Sequence, residues 1–388
     1  MSVIERIQSF HTELTELRRD IHAHPETAFE EVRTSDLVAE WLQSLGMEIH
    51  RGLGKTGVVG TLKAGNGNRA IGLRADMDAL PILENNTFSH RSRHEGKMHA
   101  CGHDGHTTML LGAAKYLSET RNFNGTIYFI FQPAEETEGG ADAMIKDGLF
   151  EMFPMETVFG MHNLPGIPVG RFGVRPGPIM AAYDQFQIKI KGVGTHAALP
   201  HKGVDPITVG SEIVSALQTI VSRSLDPFDK AIVSVTQFHA GDTWNVIPET
   251  AVICGTARSF RAEVQDIIES KLMSIVRGVA ASHGASVEID YKRLYPATVN
   301  TEEESTLAGD VAASIVGEDH VDRDAMPLMG SEDFSFMLQK KPGCYLFIGN
   351  GDGEGSCMIH NPGYDFNDAI LPLGATYWAR LAEAVLPA

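Results

Sequence analysis

Cysteine is scarce in this sequence. Only four cysteines occur among 388 residues, Cys101, Cys254, Cys344 and Cys357, and this is too few for a disulfide scaffold in a chain of such length. A cytoplasmic location is therefore the default expectation. Cys254 and Cys344 lie in apolar runs, so we expect both of them to be core residues.

Basic residues are also in deficit. The 32 lysines and arginines are outnumbered by 50 aspartates and glutamates, which gives a formal net charge of −18. Nucleic acids and anionic membranes are disfavoured as partners, because both carry negative charge themselves. An anionic substrate would have to be held by specific basic side chains.

Long apolar runs are absent. No stretch approaches the ~20 residues that span a bilayer, and the start of the chain, Met1-Ser-Val-Ile-Glu-Arg6, has no basic segment followed by an apolar block, so we expect no secretory signal. The hydrophobic content of 43% and the charged content of 21% are ordinary for globular proteins. Because 388 residues exceed what one ordinary core supports, we expect two domains.

Two adjacent glutamates follow a strand-like stretch. The run Thr126–Phe131 is apolar, aromatic and β-branched, which predicts a strand, and Pro133 ends it. Glu135 and Glu136 then lie just past the C-terminal end of that strand, where ligand sites gather in open α/β sheets. One of two adjacent carboxylates can bind a metal while the other moves a proton. Alone, the pair is weak evidence, because most such pairs are solvated surface residues.

The densest group of histidines precedes a predicted helix at Thr107–Ser118. The helix N-terminus and any bound metal both favour a thiolate at Cys101. Cys101 and His103 could both ligate a metal if the glycine between them lets the chain turn. The alternative is a polar loop rich in histidine, which the cysteine disfavours because cysteine is usually buried. The whole group comprises His90, His94, His99, Cys101, His103 and His106.

Two further strand ends carry residues of the ligand type. Asp76 and Asp78 follow a predicted strand at Ala70–Arg74, and we expect only one of these carboxylates to point into a site. His162 follows a predicted strand at Glu156–Gly160. Together with the glutamate pair, three strands would deliver such residues to one sheet edge, which argues for a site there.

The N-terminal residues 3–22 have apolar and charged positions at helical spacing, which predicts a helix. His22, His24 and Pro25 end it. We interpret the two histidines as a polar helix end.

The pattern of predicted elements changes from Tyr183 onward. Strands and helices follow in the order β-α-β-β-α-β, which is the ferredoxin-like, split βαβ arrangement. Asp205 and Pro206 open the first helix of this segment as its N-cap and first helical residue. We therefore predict a second domain at residues 183–292, inserted into a discontinuous catalytic, metal-binding domain at residues 1–182 and 293–388.

The candidate ligands exceed the needs of one metal ion. A mononuclear catalytic zinc site has three protein ligands, whereas five fit two divalent ions about 3.5–4 Å apart, bridged by the thiolate and a water. Glu135 is then the free carboxylate that could take a proton from that water and deliver it to a leaving amine. The five candidates are Cys101, His103, Glu136, His162 and His360.

Eight motifs occur in order along essentially the whole chain. They are Arg74-Ala-Asp76-Met-Asp78-Ala-Leu-Pro81, His99-Ala-Cys101-Gly-His103-Asp104-Gly-His106, Gln132-Pro-Ala-Glu135-Glu136, Met161-His162-Asn163, Gly194-Thr-His196-Ala-Ala-Leu-Pro-His201, Asn245-Val-Ile-Pro248, Gly255-Thr-Ala-Arg258 and His360-Asn-Pro362. With these motifs the chain resembles the aminoacylase/carboxypeptidase family of two-metal amidohydrolases. The branch that it resembles contains hippurate hydrolases, N-acyl-amino-acid deacetylases and the auxin-conjugate hydrolases of plants.

The resemblance implies an α/β fold in which a mixed-sheet, metallopeptidase-like catalytic domain carries a smaller ferredoxin-like domain that mediates dimerisation. It implies the same five metal ligands, with Glu135 as the acid/base. In the family, the histidine that matches His196 reaches across the dimer to stabilise the oxyanion in the partner's site, and Asn245 is expected to support this contact. Arg258 is predicted to hold the substrate's α-carboxylate. We add Asp78 to the predicted catalytic residues.

The predicted function is that of a metal-dependent amidohydrolase, which cleaves hippurate-like N-acyl-L-amino acids to a carboxylic acid and a free amino acid. A dipeptidase or carboxypeptidase of the same family is the main alternative. A metal-dependent binding protein without turnover is a further one, which Glu135 disfavours because a binder needs no free carboxylate beside its ligands.

Two divalent ions per subunit are the expected cofactors. Imidazole and thiolate ligands favour Zn²⁺, while Mn²⁺, Co²⁺ or Ni²⁺ could occupy the site when abundant. The expected partners are a small-molecule substrate and further copies of the chain, as a homodimer or a dimer of dimers through the inserted domain.

Overall fold

Two compact units make up the chain in the computed structural model, which describes residues 2–353 and 357–388. The first unit comprises Met1–Ile179, Val299–Met326 and Asp333–Ala388, and the second comprises Met180–Thr298 and Pro327–Glu332. The second unit therefore interrupts the first in sequence. The predicted domain limits, with residues 183–292 as the inserted domain, stay a prediction.

The helices are mostly short, and the longest lies in the second unit. None of the described helices is both long enough and apolar enough to cross a membrane. Across the described residues the α-helices are α1 (Val3–Gln8), α2 (His11–Ala23), α3 (Val32–Ser44), α4 (His103–Thr120), α5 (Gly140–Lys146), α6 (Leu149–Met152), α7 (Pro206–Leu217), α8 (Ala262–Ser282), α9 (Glu302–Val316), α10 (Ser335–Leu338) and α11 (Leu371–Val385).

The strands alternate with helices in the first unit and dominate the second. They are β1 (Glu48–Leu53), β2 (Gly57–Ala64), β3 (Ala70–Asp76), β4 (Gly125–Gln132), β5 (Thr157–Pro165), β6 (Phe172–Gly173), β7 (Gly177–Met180), β8 (Ala182–Lys191), β9 (Thr195–His196), β10 (Ala231–Ala240), β11 (Val246–Ile247), β12 (Thr250–Ser259), β13 (Ser286–Tyr295), β14 (Thr298–Asn300), β15 (Val321–Asp322) and β16 (Gly343–Gly351).

The first unit is built on an eight-stranded mixed sheet in the order β1-β2-β4-β3-β5-β16-β6-β15. Its central strands β4, β3, β5 and β16 run parallel, while β1, β2 and β4 pair antiparallel. The α/β class with a mixed sheet is therefore confirmed. The parallel strands end at one common edge, as expected for an open α/β sheet.

The central strands could be predicted from the sequence because they are buried, whereas the outermost strand, β1, could not. Every residue of β3 is buried, so its sequence is a nearly continuous apolar run. The strand β1 was not predicted, because most of its residues are polar and partly exposed at the sheet edge. The helices α2 and α11 pack against α4, and their apolar side chains join one core cluster with the sheet.

The second unit has a four-stranded antiparallel sheet in the order β10-β12-β8-β13. The strand that comes first in sequence lies between the third and the fourth, which is the ferredoxin-like arrangement. The side chains of β8 alternate between buried and exposed, because α7 and α8 pack on one face of the sheet. The predicted start of α7 is confirmed: the Asp205 carboxylate accepts a hydrogen bond from the Ile207 N–H at 2.9 Å.

The prediction that His22 is a polar helix end was wrong. His22 is fully buried, with Nδ1 at 2.8 Å from the Asp104 carboxylate and Nε2 at 3.2 Å from that of Glu84. It shares a face of α2 with Leu14 and Arg18, at the spacing of successive helical turns. That face packs against α4, so the end of the helix lies inside the protein.

The two cysteines expected in the core have different environments. Cys344 is fully buried in β16, as predicted. Cys254 is only partly buried, so this prediction was wrong. The side chains of β12 alternate between the two faces of its sheet, and Cys254 lies on the face opposite the helices. There it helps to line a cavity of about 510 Å³.

Candidate metal centre

The candidate site forms where the parallel strands of the first unit end. β3 ends at Asp76, β4 ends three residues before Glu135, and α4 begins at His103. His162 lies within β5, which extends beyond the predicted end at Gly160. The strand continues because His162 pairs in parallel register with Phe347 of β16.

Gly102 allows Cys101 and His103 to approach the same site. Its φ is 101°, a left-handed conformation that suits glycine. A Cβ atom at this position would come within 2.2 Å of the Asn163 Oδ1 atom. No other residue could therefore occupy this turn without displacing Asn163.

Cys101 and His162 form the first pair of donors. The Cys101 Sγ atom lies 3.3 Å from His162 Nε2, and both side chains are buried. His162 Nδ1 lies 2.6 Å from the carbonyl oxygen of Asn163. Since a carbonyl can only accept, Nδ1 carries the proton and the lone pair is on Nε2. Burial keeps the pKa of His162 well below its usual value, so the ring is neutral and suited to bind a metal.

His103 is oriented in the same way by a carboxylate. Its Nδ1 atom lies 3.2 Å from Asp78 Oδ1, which directs Nε2 toward the site. Burial lowers the pKa of His103, but the charges of Asp76 and Asp78 outweigh this and raise it to about 10. Nε2 is buried without a hydrogen-bond partner in the described part of the chain. A cation there would take the place of the proton and use this atom.

Glu136 and His360 complete a second group of donors. Glu136 Oε1 lies 3.3 Å from His360 Nε2 and 3.8 Å from His103 Nε2. This oxygen is also buried with no hydrogen-bond partner among residues 2–353 and 357–388. His360 is half-exposed and is anchored through its backbone N–H, which donates to the carbonyl of Ala100 at 2.7 Å.

All five predicted ligands are therefore brought together. One group consists of Cys101, His103 and His162, and a second consists of Cys101, Glu136 and His360, with the ligand atoms of each group within 4.8 Å of one another. The two groups share Cys101. Burial, followed by the charge of Glu136, raises the pKa of the Cys101 thiol well above its usual value. This thiol therefore holds its proton more tightly than an ordinary cysteine does, and a bound cation would favour its ionisation.

Glu135 lies beside these donors. Its carboxylate is buried and falls within 4.8 Å of ligand atoms of His103 and Glu136. The backbone N–H of Asp333 donates to Glu135 Oε1 at 3.4 Å. The structure thus separates the two adjacent glutamates: Glu136 faces His360, and Glu135 remains beside the group.

The expectation that only one of Asp76 and Asp78 points into the site was wrong. Asp76 Oδ2 lies 3.7 Å from His103 Nε2, and Asp78 Oδ1 lies 3.2 Å from His103 Nδ1. Residues i and i+2 of an extended segment lie on the same face, so both carboxylates can point into the site. Asp78 also accepts a hydrogen bond from the Glu136 N–H at 3.0 Å. It therefore contacts the side chain of one candidate ligand, His103, and the backbone of another, Glu136.

Sequence reasoning left out a row of polar residues behind the ligands. His106 Nδ1 lies 2.7 Å from Asp76 Oδ1, and His106 Nε2 lies 2.7 Å from Asn163 Oδ1. The amide of Asn163 donates to the hydroxyl of Tyr364. His106 and Asn163 stand within the motifs that carry the ligands, so their proximity in sequence was visible. Their bonding partners come from other strands and loops, which no local pattern reveals.

The remaining predicted residues, His196, Asn245 and Arg258, lie in the second unit. His196 in β9 pairs with Val246 of β11, and the carbonyl of Asn245 accepts from the Ala197 N–H at 2.9 Å. His196 Nδ1 accepts from the Ala198 N–H at 3.0 Å. A neutral ring with this bond carries its proton on Nε2, and the side chain is exposed.

Arg258 lies on β12 and contacts an aromatic ring and a hydroxyl group. Its guanidinium group is 3.9 Å from the centre of the Tyr183 ring and donates to the hydroxyl of Ser331. Among the described residues, no acidic side chain forms an ion pair with it. An unpaired guanidinium supported by an aromatic ring is suited to bind a carboxylate from outside the chain.

Comparison with known proteins identifies similar chains along the full length. Residues 72–384 match the profile of the family described as "Peptidase family M20/M25/M40". The hippurate hydrolase of Campylobacter jejuni is 44% identical over 382 residues, which cover 98% of this chain and 99% of that protein. An N-acetylcysteine deacetylase of Bacillus subtilis is 39% identical over 382 residues, with 98% of each chain covered.

A solved structure agrees in fold as well. It is the crystal structure of a Bacillus subtilis protein described as a dinuclear metal binding peptidase from the M20 family. The TM-score is 0.85 at 36% sequence identity, and the match covers 98% of this chain and 99% of that one.

Proposed function

The chain belongs to peptidase family M20/M25/M40 and is an amidohydrolase, and we propose that it cleaves the amide bond of N-acyl-L-amino acids to give a carboxylic acid and a free amino acid. The relatives named hippurate hydrolase and N-acetylcysteine deacetylase support this substrate class. The observation that carries the proposal is the pair of donor groups that share Cys101, with the buried carboxylate of Glu135 beside them.

Two divalent ions per subunit, zinc or manganese, fit the donors. Cys101, His103, Glu136, His162 and His360 would hold them, and the buried, unbonded atoms His103 Nε2 and Glu136 Oε1 support this assignment. The relative described as dinuclear supports the number of ions. Imidazole and thiolate donors favour zinc, and Co²⁺ or Ni²⁺ would also be accepted. When bound, such ions supply Lewis acidity to a water molecule and to the substrate's carbonyl group.

Glu135 moves the proton that hydrolysis requires. Its carboxylate takes a proton from the attacking water as the bond between the water oxygen and the carbonyl carbon forms. The same proton then passes to the amide nitrogen, so that the C–N bond breaks and the leaving group departs as a neutral amine. Asp78 acts through His103 and the backbone of Glu136, since it contacts both of them, and we assign it a positioning role within the site.

The second unit supplies groups for the substrate. The Nε2–H of His196 is an exposed donor for the oxyanion that develops during attack, and it acts in the site of a partner subunit within a homodimer. The Asn245 carbonyl fixes the turn that carries it. Arg258 binds the α-carboxylate of the substrate through its planar guanidinium group.

Peptides are the second candidate substrates. The structurally similar Bacillus subtilis protein is described as a peptidase, and a dipeptide also has a free carboxylate next to an amide bond. Dipeptides therefore belong in the same assay. A cytoplasmic location remains part of the proposal.

The test is a substrate panel assayed with defined metals. Purified protein is depleted of metal by a chelator, reloaded with one metal at a time, and supplied with N-benzoyl, N-acetyl and long-chain N-acyl amino acids and with dipeptides. Glu135→Gln should keep both metals and lose turnover by about 10²–10⁴-fold, the usual effect of removing a general acid/base. The exposed neighbour Glu138 provides the control, Glu138→Gln, which should retain full activity.

Two outcomes would contradict the proposal. A protein that hydrolyses none of the amides with any metal is not the proposed enzyme. Near-normal kcat in metal-loaded Glu135→Gln would remove Glu135 from its assigned role.

A further inference from the structure

The backbone next to Glu135 has an unfavourable conformation. Ala134 has a φ of 53°, in the left-handed region that residues with a Cβ atom avoid. Such residues persist where the surrounding structure holds them, and they concentrate at active sites. Ala134 is fully buried, and its carbonyl accepts a hydrogen bond from the Gly140 N–H at 3.0 Å. Its own N–H must be held from elsewhere.

The group that holds it is the carboxylate of Glu31, which is fully buried. Glu31 Oε1 accepts from the Ala134 N–H at 3.0 Å and from the Phe29 N–H at 3.0 Å. Phe29 is also left-handed, with a φ of 61°. Glu31 Oε2 accepts from the hydroxyl of Thr56 at 2.7 Å. One carboxylate oxygen therefore fixes two strained residues from distant parts of the first unit.

A second carboxylate holds the other side of Glu135. The N–H of Glu136 donates to Asp78 Oδ2 at 3.0 Å. The backbone N–H groups before and after Glu135 are thus bound to two different buried carboxylates. The Asp78 bond fixes the peptide plane after Glu135, and the bond from the Gly140 N–H to the Ala134 carbonyl fixes the plane before it. The Glu31 bond fixes the next plane back, at the N–H of Ala134. Together these bonds fix the direction of the Glu135 side chain.

We propose that Glu31 is a positioning residue for Glu135, which it aligns by holding Ala134 in the left-handed conformation. The inference rests on the proposed function of Glu135. Without the Glu31 carboxylate, Ala134 would relax toward a negative φ and rotate the Glu135 side chain. A displacement on the order of 1 Å in a catalytic group can lower turnover about 10²-fold.

Three substitutions of Glu31 test this proposal. Glu31→Ala removes both acceptors, and Glu31→Asp keeps the charge on a side chain too short to reach Phe29 and Ala134 together. Both should lower kcat by roughly 10- to 100-fold with little change in KM and with both metals retained. Glu31→Gln keeps an oxygen for the two N–H groups and should recover most of the kcat lost in Glu31→Ala. Because burial raises the pKa of Glu31 to about 7, assays belong well above pH 7.

A readout independent of activity follows the backbone itself. Amide hydrogen exchange in the peptide that contains Ala134, measured on metal-free protein, should be faster in Glu31→Ala and Glu31→Asp than in the original protein. In Glu31→Gln the exchange rate should be close to that of the original protein. Glu30→Ala is the matched control, because Glu30 is exposed and pairs with Lys97 at the surface. It should leave both kcat and exchange unchanged.

A double substitution isolates the left-handed conformation. Glycine adopts a positive φ without strain, so Glu31→Ala should lower kcat less in an Ala134→Gly background than in the original protein. An equal loss in both backgrounds would show that Glu31 does not act through the conformation of Ala134.

The outcomes separate this inference from the proposed function. If Glu31→Ala does not fold, Glu31→Asp decides the question, and wild-type kcat and exchange in that variant would overturn the inference. An equal loss of kcat in Glu30→Ala would also overturn it. If the original protein hydrolyses no amide, the proposed function fails, while the exchange measurement still shows whether Glu31 holds the loop.

Discussion

The protonation states of individual side chains make cation binding at the candidate site depend on pH. Burial, followed by the charge of Glu136, raises the pKa of Cys101, and the charges of Asp76 and Asp78 raise that of His103 to about 10 despite its burial. Both side chains are therefore protonated near neutral pH when no cation is present. Metal binding must release these protons, so metal affinity should increase with pH.

Cys101→Ser should weaken metal binding by roughly tenfold or more, because an alcohol keeps its proton where a thiol loses it, and even the loss of a residue behind a ligand costs 10–100-fold. Competition with a chelator, followed by metal analysis, measures the effect. Cys254→Ser is the control, since Cys254 is half-buried in the other unit. Equal affinities for both variants would exclude Cys101 as a ligand.

Arg258→Lys should raise KM for free-acid substrates much more than for the corresponding amides. A lysine ammonium cannot form the bidentate contact that a guanidinium forms with a carboxylate. The comparison of acid and amide forms of one N-acyl amino acid measures this difference. If KM rises equally for both, Arg258 does not contact the carboxylate.

At this scale the sequence predicted which donor side chains come together better than it predicted the groups behind them. Cysteine, histidine and glutamate at strand ends indicate metal chemistry by residue type alone. The orientation of His103 by Asp78, or of Ala134 by Glu31, depends on contacts between segments far apart in sequence. Glu31 has no local pattern that distinguishes it from an ordinary polar residue, and the position of Asn163 beside His162 does not indicate its partners.

Among the elements, α2 and α4 pack together through buried ion pairs as well as through apolar contacts. Arg18 of α2 is fully buried and forms ion pairs with Asp104, Asp365 and Asp368. His22, one turn further along α2, bonds the same Asp104. Since Asp104 follows His103 directly, this cluster supports the end of α4 that carries a candidate ligand.

The cluster should make stability depend on pH. Burial lowers the pKa of His22, but its bonds to Asp104 and Glu84 raise it to about 9, well above the ~6.5 of an unfolded histidine. The folded protein therefore holds this proton more tightly than the unfolded chain does. The resulting stabilisation is fully present below pH ~6.5 and is lost as the pH rises through 9, by roughly 3 kcal/mol in total.

Urea unfolding of the metal-loaded protein across this pH range measures the effect. His22→Gln should be less stable near neutral pH and should lose that part of the pH dependence. His24→Gln provides the control, because His24 is more exposed and bonds a backbone carbonyl of its own helix. Identical pH profiles for His22→Gln and the original protein would contradict the prediction.

The elements themselves were predicted where burial imposes a pattern. β3 and β4 are apolar because both of their faces are covered, and α7 begins with a cap that can be recognised from Asp205 and Pro206. β1 was missed since a polar edge strand has no such pattern. β5 continues past Gly160 because of its pairing with β16, and a strand end that depends on a distant partner is not visible locally.

For the whole molecule, the proposed dimer makes the sharpest prediction. His196→Ala should keep its metals and lose about 10²–10³-fold in kcat, the effect of removing an oxyanion donor. In a mixture of His196→Ala with Glu135→Gln, one site of each heterodimer has an intact Glu135 and receives an intact His196 from its partner. Activity should therefore reappear on mixing.

Tagged subunits establish whether heterodimers form in the mixture. If they form and activity does not return, His196 acts within its own subunit or has no role in turnover. If each variant is fully active alone, neither residue takes part in catalysis.

The insertion was predicted because the order of elements changes near Tyr183. What the sequence did not provide was the pairing of strands across it. β5 precedes the inserted unit in sequence and β16 follows it, and both strands are mostly apolar and buried. An apolar strand can accept many neighbours. Only the completed sheet fixes their register.

This pairing has a consequence during synthesis on the ribosome. The nascent chain presents β5 before the inserted unit is made and β16 only after it. At ~5–20 residues per second, translation of the intervening segment lasts roughly 10–40 s. For that time the β5 edge lacks its neighbour and remains open to other strands. The inserted unit, whose four main strands all lie between Ala182 and Tyr295, can finish folding within this interval. The unit with the candidate metal ligands must wait for the last of them, His360.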